Sequence, residues 1–246
     1  MAIDILLDRV KSLKLYGLIN NWDDVKDEPW LDKFIRQEEI ARSERSLEFR
    51  LKSARLGKFK QLVDFDWDWP EHCDRASIEN WMKLDFINKY TNLILCGPNG
   101  VGKTTIASNI ARQSIMKGHT AIFTTAAGML NELAALDSEI ALRRRIKFYA
   151  KPDVLVIDEV GYLSYSNRHA DLLFEIINQR YEKKATMITT NKSFGEWSDI
   201  FPNATCVVSI VDRLIHHSEI VNIKADSYRL KEAEEQRKKR EASTKK

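Results

Sequence analysis

Nine consecutive residues, Gly97-Pro98-Asn99-Gly100-Val101-Gly102-Lys103-Thr104-Thr105, contain the spacing Gly-x-x-x-x-Gly-Lys-Thr. That spacing suits a phosphate loop. Glycines let the backbone curl until successive N–H groups face one anion. A following helix would add the positive end of its dipole. Lys103 is placed to reach the outer phosphates, and Thr104 offers a hydroxyl to Mg²⁺. Downstream, Asp153-Val-Leu-Val-Ile-Asp158-Glu159 joins an apolar run to two acids. A buried strand ending there puts Asp158 beside the phosphate loop as a metal-holding carboxylate. Glu159 is then the group that orients or deprotonates an attacking water. Thr189-Thr190-Asn191 closes the next apolar run. Asn191 is a candidate sensor of the terminal phosphate or the water, the alternative being a helix-capping role before Ser193-Phe194.

These residues need a scaffold, and the apolar pattern supplies one. Short runs at Leu93–Cys96, Ala121–Thr125, Val154–Ile157, Thr186–Thr190 and Ile220–Ile223 suit buried parallel strands. Helices are expected over Thr104–Lys117, Met129–Tyr149 with a break near Asp137-Ser138, His169–Glu182 and Thr205–His216. Such alternation predicts an α/β core with both faces of a parallel sheet covered. Ahead of it, residues 1–60 have helical spacing, with Leu6, Leu7, Val10, Leu13 and Leu15 leading. A second, strongly charged helix is expected from Trp30-Leu31 to about Leu56. FDWDWPEHCD is a turn-rich connector, and Ile78–Tyr90 suits one more helix. The expected organisation is a helical domain over 1–65, a nucleotide-binding domain over 66–230 and a basic, disordered tail over 231–246.

Composition narrows the setting. The 246 residues carry a formal charge of +3, but charge is unevenly spread. Lys33–Lys60 holds nine Lys/Arg against four Glu, whereas Asp64–Glu79 holds six acids against Arg75. Basic stretches of this kind either neutralise nucleic-acid phosphates or serve as solvated helix faces. Three scattered cysteines, Cys73, Cys96 and Cys206, form neither a disulfide framework nor a zinc pattern. The N-terminus has no secretory-signal pattern, so a reducing cytoplasm is expected, and Asn203-Ala204-Thr205 is then a chance glycosylation match. No apolar run approaches the roughly 20 residues of a membrane span.

Longer phrases carry a resemblance. GPNGVGKTT, VLVIDEVGYL, NQRYEKKATMITTNKSFGEWSDIF and VDRLIHHSEIVNIKADSYRL resemble the IstB-like family. So do KSLKLYGL, EIARSERSLEFRLKSARL and LVDFDWDW near the front. These are AAA+ ATPases that assist insertion-sequence transposases and are related to the DnaC helicase loader. The resemblance implies an AAA+ core with strand order 5-1-4-3-2, a reduced C-terminal lid, ATP and Mg²⁺ as ligands, and homo-oligomeric assembly on double-stranded DNA. It implies active sites shared between neighbours, with Arg213 completing the adjacent subunit's site, Arg229 as a second phosphate sensor and Arg180 facing the subunit interface. It implies an N-terminal region that contacts partners. The partner would be an IstA-like transposase, or a replicative helicase if the chain is a loader. DNA contacts are expected in the region after the second strand, at Ala127, Gly128, Arg143, Arg144 and Arg145, and at Arg168, made through backbone charge and deformability rather than sequence. Two features depart from the family: Asn99 and Val101 replace the commoner Pro and Thr, and only 23 residues follow Ile223. A small-molecule P-loop kinase and a chain that holds ATP structurally are the remaining alternatives.

Overall fold

Helical spacing of leucines is enough to build the first unit of the chain. The computed structural model describes residues 2–162, 165–201 and 205–244. Asn203 and Ala204 of the glycosylation-like triplet, and the last two residues of the tail, lie outside that set. Contacts divide the chain into a unit over Met1–Lys52 and a second over Ser53–Lys246. In the first, α1 (Ala2–Ser12), α2 (Tyr16–Asn20), α3 (Trp22–Val25) and α4 (Leu31–Ser53) enclose Val10, Leu13, Leu31 and Ile35. Arg9 ties the first helix to the last by donating to Asp32 at 2.8 Å and to Glu39 at 2.8 and 2.9 Å. Beyond Ile35, α4 has no buried residue. Its surface is laced by pairs such as Arg36–Asp32 at 2.8 Å and Arg42–Glu38 at 2.5 Å.

The division after Lys52 precedes the boundary near residue 65 expected from composition. The reason is that the connector belongs to the core. Ala54 accepts a hydrogen bond from the Phe123 amide at 2.8 Å, and the Leu62 amide donates to Asn109 at 3.0 Å. After the connector, α5 (Arg75–Trp81) and α6 (Asp85–Asn88) replace the single helix expected over Ile78–Tyr90. Leu84 adopts a left-handed conformation, φ 71°, between them. The break lets Trp81 and the Phe86-Ile87 pair all become buried.

The rest of the second unit alternates strands and helices. It runs β1 (Asn92–Cys96), α7 (Lys103–Met116), β2 (Ala121–Thr125), α8 (Ala126–Ala134), α9 (Glu139–Ala150), β3 (Val154–Val160), α10 (Asn167–Arg180), β4 (Ala185–Thr190), α11 (Trp197–Ile200), α12 (Val207–His216), β5 (Ser218–Asn222) and α13 (Tyr228–Thr244). The described strands form one parallel sheet in the order β2-β3-β4-β1-β5, the expected 5-1-4-3-2 order read from the other edge. Central strands are buried along most of their length because helices cover both faces. The expected break near Asp137-Ser138 separates α8 from α9, where the Ser138 side chain caps α9 by accepting from the Ala141 amide. The segment expected to be a disordered tail instead continues α13 to Thr244. Its first turn is anchored on the core through Lys231–Asp66 at 3.0 Å and a Lys60–Glu232 pair.

One end of the sheet is held by buried polar groups. Arg180 is 1% exposed. Its guanidinium donates to the carbonyls of Ala150 and Pro152 at 2.9 and 2.8 Å, to the Ala185 carbonyl, and to Thr186 Oγ1 at 3.0 Å. The expectation that Arg180 faces a subunit interface is therefore corrected: six carbonyl and hydroxyl partners inside the fold consume its donors. Nearby, Asp153 accepts from the Thr120 amide at 2.9 Å, the Thr120 hydroxyl at 2.8 Å and Lys184 at 2.5 Å. Burial alone would push the Asp153 carboxyl up, but the Lys184 and Thr120 bonds outweigh it and hold it at about 2. A carboxyl depressed on folding adds stability above its unfolded value of 3.8, and that stability is lost as pH falls toward about 2. Asp153→Asn is expected to flatten the acid limb of a stability–pH profile by up to about 2 kcal/mol, measured by urea unfolding between about pH 5 and pH 2.

Candidate functional site

The functional residues gather where β1, β3 and β4 end. Cys96 is the register partner of Thr190, and Thr125 that of Asp158. The loop after β1 and the segment after β4 thus leave the sheet side by side, the usual ligand-binding edge of an open parallel sheet. The Gly97 amide donates to the Thr190 carbonyl at 3.1 Å. From there residues 97–102 curl into the N-terminus of α7. Gly102 has φ 94°, and a Cβ there would lie 2.3 Å from the Phe65 ring. The loop has the shape of a cradle that a side chain would fill.

Lys103 begins α7 with its side chain largely buried, and its ammonium donates to the Gly97 and Pro98 carbonyls at 2.7 Å each. Burial lowers its pKa, with Asp158 opposing that shift. An ammonium held this way favours a nearby anion. Thr104 Oγ1 donates to the Asp158 carboxylate, 3.0 Å from the nearer oxygen. Asp158 is 3% exposed and also accepts from the Thr189 hydroxyl. Thr189 Oγ1 in turn accepts the Glu159 amide at 2.9 Å. Sequence reasoning named the Thr189-Thr190-Asn191 segment but assigned no role to Thr189. The available signal was a run of two hydroxyls, Thr189-Thr190, at the end of a wholly buried strand.

β3 does not stop at Ile157 as expected. It continues to Val160 with an irregular register between Ile157 and Val160, and Glu159 sits at φ 61°. That kink turns neighbouring acids to opposite fates: Asp158 is buried and Glu159 exposed. A non-glycine residue in the left-handed region is uncommon and persists only where its surroundings hold it there.

A cavity of about 250 Å³ opens over this edge. It is lined by the sequence candidates Asn99, Gly100, Val101, Gly102, Lys103, Thr104, Thr105, Glu159, Asn191 and Arg229, which therefore converge, and by Thr189. Its far wall comes from residues without an assigned site role: Phe65 and Trp69 of the connector and Tyr228 of α13. Trp69 and Tyr228 meet edge to face at 5.9 Å. The Tyr228 amide donates to the Gly100 carbonyl at 3.1 Å, and the Trp69 indole donates to the Asp226 carbonyl at 3.0 Å. The aromatic residues of FDWDW and SYRL were the visible signal for this wall.

Other candidates lie elsewhere. Arg213 is on α12, outside the cavity lining, with its guanidinium 4.6 Å from the Phe174 ring and 5.9 Å from that of Tyr181. Its Nη1 is buried without a hydrogen-bond partner among the described residues. Ala127 and Gly128 are in the first turn of α8, where Gly128 is exposed and its amide is capped by Thr125 at 3.1 Å. Arg143 and Arg144 are exposed on α9, whereas Arg145 pairs with Glu132 and stacks 4.2 Å over Phe148. Arg168 is exposed and donates to the Leu136 carbonyl at 3.2 Å.

With this geometry in place, known proteins supply the relationship. The family model for the IstB-like ATP binding protein matches residues 9–236. The chain belongs to the IstB-like ATP-binding family. It is 33% identical over 232 residues to an insertion sequence IS5376 putative ATP-binding protein of Geobacillus stearothermophilus, covering 94% of this chain and 91% of that one. It is 37% identical over 198 residues to an insertion sequence IS21 putative ATP-binding protein of Pseudomonas aeruginosa, covering 80% and 75%. Solved structures similar in fold include DnaI, with TM-score 0.55, 19% identity and 68% of this chain against 89% of that one. The DnaC helicase loader matches with TM-score 0.51, 23% identity and coverage of 70% and 97%. The fold is thus an AAA+ P-loop core, and the IstB-like chain is an ATP-binding protein of the insertion-sequence type. No described helix is long and apolar enough to cross a membrane. Lys103→Ala, which removes the cation beneath the loop, is expected to weaken binding of a fluorescent ATP analogue by about 100-fold or more in equilibrium titration.

Proposed function

We propose that this protein is an AAA+ ATPase that assembles as a homo-oligomer on double-stranded DNA in the bacterial cytoplasm and assists the transposase of its insertion sequence. The observation that carries the reading is the split at the β3 kink. Asp158 is locked between Thr104 and Thr189, while Glu159 faces the cavity that holds the phosphate loop. That division suits hydrolysis rather than mere retention of ATP.

In this reading the loop amides and Lys103 hold the phosphates, and Asn99, Val101 and Thr105 complete the cradle. Thr104 and Asp158 would hold Mg²⁺, which supplies charge neutralisation on the phosphate oxygens when bound. Their direct contact at 3.0 Å shows a hydroxyl and a carboxylate of suitable hard-oxygen chemistry side by side. Glu159 takes up the proton of the attacking water, and Asn191 positions that water or the terminal phosphate. Arg229 contacts the phosphates from α13, while Phe65, Trp69 and Tyr228 receive the adenine by stacking. Arg213 lies outside its own chain's cavity and acts in a neighbour's, where its guanidinium offsets transition-state charge. The exposed positions Gly128, Arg143, Arg144 and Arg168, with Ala127 and Arg145 beside them, form the DNA-facing set.

A helicase-loading role is the second reading, favoured by the likeness to DnaC and DnaI. Those matches are at 19–23% identity and speak to fold, whereas the insertion-sequence relatives reach 33–37%. Co-purification with the element's transposase rather than a replicative helicase is the outcome that supports transposition.

Glu159→Gln is expected to keep ATP binding while turnover falls by about 10²- to 10⁴-fold. Arg213→Ala should also bind ATP without turning it over. Mixing the two variants should restore part of the activity, because an Arg213 from one chain meets a Glu159 from the other; mixtures as inactive as their components would remove the shared-site reading. Duplex DNA affinity should fall linearly with salt on logarithmic axes between about 50 and 200 mM, with little change between sequences. A fluorescence-anisotropy series insensitive to salt would contradict a phosphate-based interface.

A further inference from the structure

A second cluster of ligating side chains lies apart from the nucleotide cavity. Glu182, His216 and His217 each offer one ligand atom, and these three atoms lie within 4.8 Å of one another. Glu182 Oε1 is 3.4 Å from His217 Nε2 and 3.8 Å from His216 Nδ1. A tetrahedral ion bound at about 2.0–2.2 Å from nitrogen and oxygen ligands needs ligand–ligand separations of about 3.3–3.6 Å. The observed spacings are close to that requirement before any ion draws the groups together.

Successive residues rarely aim at one point, and the backbone explains why these do. His216 ends α12, and His217 leaves the helix with φ −128° and ψ 73° on its way into β5. The turn brings the two rings to 4.2 Å between centroids, tilted by 57°. Glu182 sits at φ 55° in the turn after α10. That turn is fixed by the Lys183 and Lys184 amides, which donate to the Arg180 carbonyl at 3.0 and 2.9 Å. On the other side, buried Asn92 donates from its side chain to the Leu214 carbonyl at 3.1 Å and from its amide to the His217 carbonyl at 2.7 Å. The side chains are exposed, but the backbone beneath them is held by two buried polar residues. The Tyr181 hydroxyl lies 2.7 Å from His216 Nδ1, the same nitrogen an ion would take, and therefore competes for it.

We propose that Glu182, His216 and His217 form a binding site for a transition-metal dication of the zinc class, and that occupancy sets how Arg213 is presented. Two imidazoles and one carboxylate suit zinc, cobalt or nickel, with a water completing four-coordination. Arg213 precedes His216 by one helical turn, and the Tyr181 ring that it faces at 5.9 Å is the one hydrogen-bonded to His216. An ion joining α12 to the turn after α10 takes His216 Nδ1 from the Tyr181 hydroxyl and so shifts the ring against which the Arg213 guanidinium rests. This second clause rests on the proposed role of Arg213 in a neighbouring active site; the metal site itself does not.

The test is a titration of the purified full chain with cobalt(II) alone, followed by visible absorption and calorimetry. One equivalent should bind with tetrahedral d–d bands. His216→Asn/His217→Asn should weaken binding by more than about 100-fold, since loss of outer partners alone costs about 10- to 100-fold. Its thermal melting and ATP-analogue binding should remain those of the parent. Absence of binding by the parent, or equal binding by the double variant, overturns the site. Cobalt should also change ATP turnover of the assembled parent at least about twofold, and unchanged turnover overturns the link to Arg213. Arg213→Ala should still bind cobalt, so an error in the shared-site reading leaves the metal result intact.

Discussion

The buried carboxylate of Asp158 is the interaction on which the functional edge of this protein depends. It accepts from Thr104, at the start of the helix after the phosphate loop, and from Thr189 of β4. One side chain thereby ties the loop, β3 and β4 together. An acidic side chain at 3% exposure needs such donors, because burying a polar group without partners is costly. The same Thr189 oxygen accepts the Glu159 amide, so the anchoring of Asp158 and the turn-out of Glu159 are one arrangement. The left-handed conformation of Glu159 is held in place by this network rather than by its own preference.

The opposite end of the sheet is organised by the same physics with a different purpose. Arg180 and Asp153 collect carbonyls, amides and a lysine where β2, β3 and β4 begin. No sequence candidate for nucleotide contact lies there, and the Arg180 guanidinium spends its donors inside the fold. Asn92 continues this framework to the end of α12 and the start of β5. Arg213 and the Glu182–His216–His217 cluster thus stand on backbone that Asn92 and Arg180 hold by hydrogen bonds, while the cavity lies at the other edge. This separation is consistent with a chain whose two functional faces are addressed by different subunits in the proposed assembly.

Much of the fold was legible because buried parallel strands leave continuous apolar runs and because the phosphate loop needs glycine at particular places. The strand positions and their order followed from those runs and from the family resemblance. Errors arose where a local pattern met a tertiary demand. The helix expected over Ile78–Tyr90 broke at Leu84 so that aromatic residues on both sides could be buried. The charged helix α4 ended near its expected place, but residues 53–74 joined the core because their backbone finds partners on β2 and α7. Arg180, expected at an interface, was drawn inside because the carbonyls of Tyr149, Ala150, Pro152, Asp153 and Ala185 converge on one point.

By itself the sequence determined the chemistry available: a glycine-rich cradle with Lys103 and Thr104, acids at Asp158 and Glu159, and a polar end to the fourth strand. These are local facts, since residue type and spacing suffice to shape a loop or end a strand. Only the tertiary structure decided how the groups divide their work. Thr189 became the link between Asp158 and Glu159, and the distant FDWDW and SYRL segments met to wall the cavity. Arg213 was kept away from the cavity of its own chain. Those outcomes depend on which strands are neighbours and which buried polar groups must find partners, and neither is encoded within any single stretch of residues.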